Sequence, residues 1–326
     1  MNTHLRRILV VVAIISGSLL FEKNAFADGN DFSIAPVLPE NQRAGVESYF
    51  DLSVEPNQKQ SLKIVLKNND VKDQKYKIYV NTATTNQNGI IDYSDGEIEK
   101  DESMATSLKD CVKLPVPQIE VPAHGEKEVS FEVNIPPNSF KGVLLGGITV
   151  EPVNEEKKEG ISNLLTRTLA IQLSESEETV NPELKAGEVK ISQENYRNNV
   201  KAELRNVSPV IISKVKADIS ITKKGQKEPI LEQKREQLSF APNSKFDLMT
   251  EWNEQFESGE YTYAIQLSDE MGHQWSFKKD FEIADKQAEI FNDKSVDKPV
   301  YHIQDYLPYI VGLLFILFGC ILYFLK

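Results

Sequence analysis

The stretch "FKGVLLGGITV", Phe140 to Val150, admits three readings: a phosphate loop, a membrane segment or a buried strand. Its glycine pair lacks the G-x-x-x-x-G-K-[ST] and G-x-G-x-x-G patterns that bring backbone N–H groups to a phosphate. The run is too short to cross a bilayer and carries Lys141. What remains is a strand, the last of its module, entered after "IPPN" and left at Glu151-Pro152. One pleat face holds Val143, Leu145, Gly147 and Thr149, the other Leu144, Gly146, Ile148 and Val150, and both are apolar. A sandwich strand needs only one such face. The second is therefore expected to be covered by another module or a bound partner, with Leu144, Gly146, Gly147 and Ile148 as candidate contact residues.

Working outward from this strand, the dominant period is two. Leu62, Ile64 and Leu66 alternate with lysines and Val65, and Tyr76, Ile78 and Val80 alternate with Lys77 and Tyr79. The turn chemistry of "NNDVKDQ" between them predicts antiparallel neighbours. Val129, Phe131, Val133 and Ile135 form a third inward row that Pro136 and Pro137 end. The second half repeats the plan with Val200, Ala202 and Leu204, then Val215, Ala217, Ile219 and Ile221, then Tyr261, Tyr263, Ile265 and Leu267. Both halves run from a charged alternating strand to an Asn and a turn. The expected fold class is all-β: two tandem immunoglobulin-like β-sandwich domains plus a single C-terminal transmembrane helix. The expected boundaries are a signal peptide at 1–27, a first module at 28–153, a linker at 154–163, a second module at 164–285, a juxtamembrane spacer at 286–306 and a span at 307–325.

The ends carry the targeting signals. Arg6 and Arg7, the apolar run Ile8 to Leu20 and Ala25-Phe26-Ala27 form a secretory signal peptide cut before Asp28. Leu307 to Leu325 contains no charge and is long enough as a helix to cross a bilayer, with Tyr306, Tyr309 and Tyr323 near its ends. The L-P-Y-I at Leu307 is not the L-P-x-T-G of a sortase signal. Cys320 lies in the span and Cys111 outside it, so no disulfide is expected and the exported part relies on its cores. The formal charge of −12 becomes −14 when the signal removes three cations and one anion, which excludes nucleic acid as a partner.

No catalytic constellation is legible. Of the four histidines, His4 leaves with the signal, His302 lies near the span, and His124 and His273 fall in separate modules without metal-ligand spacing. Neither cysteine has a nucleophile signature and no G-x-S-x-G elbow occurs. The acidic loop Asp92 to Glu102 fails the EF-hand template and reads as a solvated hairpin loop, calcium being the lesser alternative. No enzyme activity, cofactor or metal site is expected.

Four stretches in order, "FSIAPVLPENQ", "YFDLSVEPNQKQSLKIVLKNND", "YKIYVNTATTNQNGIIDY" and "FKGVLLGGITV", resemble the markers of the WxL-interacting protein family of Gram-positive bacteria. In the second half the resemblance rests on "RTLAIQL", Arg167 to Leu173, "AELRN", Ala202 to Asn206, total length and the terminal span. It implies a peptidoglycan-binding first module, a host-binding second module and assembly with surface proteins that carry a WxL domain. The chain has no W-x-L of its own, since Asn253-Glu254 follows Trp252 and Ser276-Phe277 follows Trp275. By family motif the candidate partner-binding or peptidoglycan-binding residues are Pro39, Glu40, Asn41, Gln42, Tyr49, Phe50 and Asp51. The expected protein is a membrane-anchored scaffold on the outer cell face that binds WxL-domain proteins and wall peptidoglycan, with a host matrix protein as a further partner. The alternatives are a matrix adhesin without wall binding and a wall-polymer hydrolase.

Overall fold

The computed structural model describes residues 31–94, 99–153 and 165–296. The expected signal peptide, the expected linker and the run 307–325 lie outside the described residues. Two β-sandwiches follow one another. The first comprises β1 (Phe32–Val37), β2 (Phe50–Ser53), β3 (Lys59–Asn68), β4 (Gln74–Thr82), β5 (Thr84–Thr85), β6 (Ile91–Asp92), α1 (Leu108–Cys111), β7 (Val112–Lys113), β8 (Gln118–Val121), β9 (Glu126–Asn134), β10 (Leu144–Pro152) and β11 (Arg167–Ser174). A four-stranded sheet of order β1-β3-β9-β7 faces a five-stranded sheet of order β2-β11-β10-β4-β8. The two-stranded β5-β6 hairpin belongs to a detour between β4 and α1. Inward rows such as Leu62, Ile64 and Leu66 against Ile78, Val80, Ile148 and Val150 fill the core.

The second sandwich comprises β12 (Leu184–Glu194), β13 (Arg197–Asn206), β14 (Ile212–Lys223), β15 (Leu231–Phe240), β16 (Ser244–Glu251), β17 (Gly259–Ser268) and β18 (Gln274–Ile283), followed by α2 (Asp285–Lys294). Its sheets have the orders β12-β13-β16 and β15-β14-β17-β18. This three-plus-four arrangement is immunoglobulin-like. Helix α2 opens what the sequence reads as a spacer, yet Ala288 and Phe291 pack on the second core.

Two expectations are corrected. The strands around Leu62 and Tyr76 are not neighbours, because the turn after β3 carries the chain from one sheet to the other. The second module does not begin at 164, and β10 is not the last strand of the first. Strand β11 pairs antiparallel with β10 and parallel with β2, and its Leu169, Ile171 and Leu173 belong to the first core. Placed between β4 and β11, β10 has no free edge, and seven consecutive residues from Leu144 to Val150 are buried.

The repeat seen in the sequence has a physical basis at one corner of each sandwich. Asn68 ends β3 and Asn206 ends β13, and both are fully buried. The Asn68 amide donates to the carbonyls of Lys72, Val121 and Pro122 and accepts from the Asp70 N–H. Asn206 donates to the carbonyls of Val210 and Ala241 and accepts from the Ser208 N–H. In each case one short side chain satisfies the backbone of the corner where the chain changes sheets. Replacing either Asn with Ala leaves several buried groups unpaired and is expected to cost about 2–4 kcal/mol in urea unfolding of the exported part. A loss below about 1 kcal/mol at both positions would contradict this account of the corner.

Candidate functional site

The outward face of the five-stranded sheet gathers polar and aromatic groups in rows set by strand register. Asp51 on β2 pairs with Gln172 on β11, which pairs with Leu145 on β10. In the next row Ala170, Gly147 and Asn81 lie side by side across β11, β10 and β4, followed by Thr168, Thr149 and Tyr79 and then Glu151 beside Lys77. Small residues in the second row leave a slot, and the Tyr93 ring fills it. A Cβ at Gly147 would press on that ring and on the Thr168 methyl. The Asn81 amide holds Tyr93 there by donating to the carbonyls of Tyr93 and Ser94 at 2.9 and 3.2 Å.

The electrostatics of the face favour neutral phenols. Burial raises the Tyr93 hydroxyl and the neighbouring Tyr49 hydroxyl adds to this, while Tyr49 itself is raised by burial and then by the Asp51 carboxylate. Tyr79 is pushed up to about 12 by burial, by the Glu151 charge and by its 3.1 Å hydrogen bond to that carboxylate. Lys77 approaches Glu151 at 3.5 Å and the Tyr79 ring at 5.2 Å. The face thus presents three protonated tyrosines with carboxylate and amide partners. That chemistry suits hydrogen bonding and stacking against a polar ligand better than bond cleavage. Among the described residues no group of three or more His, Cys, Asp or Glu is placed to hold a metal ion. Glu99, Asp101 and Glu102 of the acidic loop instead face Lys245 and Arg205.

The residues singled out in the sequence separate into three groups. Tyr49 and Asp51 lie on this face or at its rim. Residues 39–42 form the crossover between β1 and β2, where the Asn41 amide donates to the Ser53 carbonyl and the Gln42 amide to those of Val46 and Tyr49. Gln42 also accepts from the Asp51 N–H, and Arg43 bonds to Ser174 at 2.9 Å and faces Asp51 at 3.6 Å. The amides of Asn41 and Gln42 thus hold the chain's own loop. Phe50, Leu144 and Ile148 point into the core, and Gly146 packs against Leu108 and the Asn81 carbonyl. These four and Gly147 are interior and offer no surface to a ligand, a correction that follows from the central place of β10. Tyr79, Tyr93, Thr168 and Gln172 were not legible as site residues. The one available signal was an aromatic on the outward side of an alternating strand.

The second apolar face of β10 is covered, as its composition demands, but by two different parts of the chain. Leu145 packs with Ala83 and with Ala241 and Ile211 of the second sandwich. Gly147 lies under Tyr93 of the first module's own detour between β4 and α1. That detour docks along the β15 and β16 edges of the second sandwich. Ser239 N–H donates to the Gly89 carbonyl at 2.8 Å and Met249 N–H to the Gln87 carbonyl at 2.9 Å. Ala241 N–H donates to the Thr85 hydroxyl, which meets Ser244 at 2.9 Å. Gly142, at φ +71°, brings Val143 N–H within 2.8 Å of the Pro209 carbonyl where a Cβ would collide. Asp101, 4 % exposed, receives both Nε and a terminal nitrogen of Arg205 at 2.6 and 3.0 Å.

Profiles of two domain families match this chain. That of the WxL Interacting Protein peptidoglycan binding domain covers residues 32–152, and that of the WxL Interacting Protein host binding domain covers residues 156–293. The second match begins before β11, so β11 lies in the second match and in the first core. No curated protein sequence matches. Among solved structures the chain is similar to a chaperone–tip adhesin complex of CFA/I fimbriae biogenesis at 12% identity, over 75% of this chain and 97% of that one, with a TM-score of 0.33. A chaperone–tip adhesion subunit complex from the Csu pili of Acinetobacter baumannii gives 11% identity over 76% and 97%, with a TM-score of 0.33. The E. coli chaperone DraB gives 11% over 77% and 96%, with a TM-score of 0.29.

Burial opposes ionisation of Asp101, but the Arg205 and Ser103 hydrogen bonds and the Arg205 charge outweigh it and hold the carboxyl at about 2. A carboxyl depressed below its unfolded value stabilises the fold above that unfolded value, about 3.9, and loses the contribution as pH falls through about 2. The joint should therefore weaken by roughly 2 kcal/mol between pH 5 and pH 2. Asp101→Asn should be less stable than the parent near neutral pH and approach it in acid, as urea midpoints across that range will show. Parallel curves at all pH values would contradict the pairing.

Proposed function

This chain belongs to the WxL-interacting protein family, and from that premise we propose that it is a membrane-held scaffold whose first module grips wall peptidoglycan through the tyrosine-lined face. Its two matched domains make it a cell-surface binding protein. The observation that carries the finer reading is the location of that face. It belongs mostly to the matched peptidoglycan-binding domain, and it presents half-buried Tyr49, Tyr79 and Tyr93 beside Asp51, Gln172 and Glu151. Aromatic rings over a polar floor fit sugar rings and peptide amides alike. Binding without turnover agrees with a site that has protonated phenols and engaged carboxylates but no nucleophile–base pair.

The anchor is the uncharged run Leu307 to Leu325, long enough to cross a bilayer as a helix. Among the described residues no helix is long and apolar enough to cross a membrane. Association with WxL-domain proteins follows from family membership, and the match of the second module to a host-binding domain supports a second partner on that side. The matrix-adhesin reading shares that support and requires no wall contact.

Retention of the exported part, residues 28–296, on isolated sacculi tests the wall role. Tyr93→Ala and Thr168→Arg are expected to reduce retention about tenfold or more. Because the exposed Thr168 bonds to the hydroxyl of buried Thr149 at 2.8 Å, the urea midpoint of each variant is read beside its retention, and the loss should persist where the variant is folded. Val71→Arg, at a 73 % exposed corner away from the face, should leave retention unchanged. Retention no greater than that of an unrelated acidic protein, or equal in all variants, would overturn the assignment.

A further inference from the structure

The second sandwich has two ends with different tasks. At one end Arg205, Pro209, Asn243 and Ser244 meet the first module. At the other lie the β12–β13 turn, the β14–β15 turn, the loop around Trp252 and helix α2. Helix α2 is fastened there. Phe291 packs on Phe256, the Asn292 amide exchanges hydrogen bonds with Phe256 backbone groups at 2.8 and 2.9 Å, and Gln193 donates to the Phe291 carbonyl at 2.7 Å. The Val296 N–H then donates to the Tyr196 carbonyl at 2.9 Å. The chain therefore leaves the second sandwich at the end opposite the first module.

Among the described residues, Tyr196 at 63 %, Val296 at 57 % and Ile290 at 42 % stand exposed around that exit, with Ile230 of the β14–β15 turn at 44 % on the same end. Tyr196 is the most telling. It occupies the second position of a two-residue turn at φ +62°, after Asn195 at φ +50°. Such turns favour Asn and Gly because a side chain is strained in the left-handed region. A bulky ring kept there and turned outward is a local choice that folding alone does not favour.

What can cover this patch follows from the chain that remains. Residues 297–306 separate it from the uncharged run, and ten residues reach at most about 36 Å when fully extended. On the anchored reading above, the patch can never be far from the bilayer surface. The charges at this end are mixed and more acidic than basic, not a basic membrane-binding patch: Lys223 and Lys224 are engaged by Glu257 and Glu260, and Arg197, Lys227, Lys286 and Lys294 stand among Glu194, Glu228, Glu254, Asp285, Glu289 and Asp293. What is left is the contact that aromatic and aliphatic side chains make at headgroup level. Such a contact is weak in free solution, but a short tether raises the effective concentration to about the millimolar range. We propose that Tyr196, Val296 and Ile290 form a lipid-facing foot that seats the second module on its own bilayer and carries the first module outward. This inference rests on the anchored reading.

The full chain, carrying Cys320→Ser, tests it in phosphatidylcholine vesicles that contain a minority of phosphatidylglycerol. A polarity-sensitive fluorophore is attached at Ile290→Cys or, for comparison, at Met271→Cys, a 79 % exposed position on the turn at the first-module end. Cys111 stays unlabelled because burial raises its thiol to about 11. Headgroup-borne quenchers are expected to quench the label at 290 at least about threefold more than the label at 271. Tyr196→Gly suits the turn's left-handed backbone, so it should keep the fold while reducing the quenching at 290 by about half. Vesicles that carry the chain on flotation but show equal quenching at both positions would overturn the foot alone. A chain that fails to float with the vesicles would overturn the anchored reading and the foot with it.

Discussion

The hydroxyl of Thr85 accepts from the Ala241 N–H and meets Ser244, and around this buried contact the two sandwiches become one body. The detour that carries Thr85 leaves the first module after β4 and lies along β15 and β16, the edge strands on one side of the second. Exposed edges invite pairing with other chains. Here the carbonyls of Gln87 and Gly89 take up the Met249 and Ser239 N–H groups, and Gly89 lets the backbone approach Leu238 and Leu248 closely. Three further edges are blunted differently, by the β12 bulge, by proline around β8 and by the shortness of β7.

Much else depends on this joint. The same detour brings Tyr93 back over Gly147, so one segment closes the second module and completes the face of the first. Asp101 adds a charge pair across the joint, and the far end of the second sandwich points away from it. On the proposed function, this joint would hold the wall-facing and membrane-facing surfaces at a fixed separation.

The alternation of Leu62–Ile64–Leu66, Val129–Phe131–Val133 and Tyr261–Tyr263–Ile265 was legible because a strand with one buried face writes its period directly into the sequence. The two-faced apolarity of β10 likewise announced a cover. The occupant was not legible, since Ala83, Ala241 and Tyr93 come together only through contacts between distant segments. The placement of β11 failed for a related reason. A charged stretch containing Pro and Gly reads as a domain linker, although the hydrogen bonds of Arg167–Ser174 return the chain to the first sheet. Asp51 and Tyr49, named through family markers, lie on the candidate face or at its rim. Gln172 and Thr168 of that face were not legible, because outward polar residues on a strand look alike until register sets them side by side.

The joint is the claim on which the rest stands. Trp252 and Trp275, the two tryptophans of the chain, both lie in the second sandwich, so their fluorescence reports it alone. Urea unfolding of residues 28–296, followed in parallel by tryptophan fluorescence and by far-ultraviolet circular dichroism, tests the coupling directly. The account predicts one transition with coincident midpoints. Two separated transitions, with the tryptophan signal unfolding independently of the remaining strand content, would contradict it.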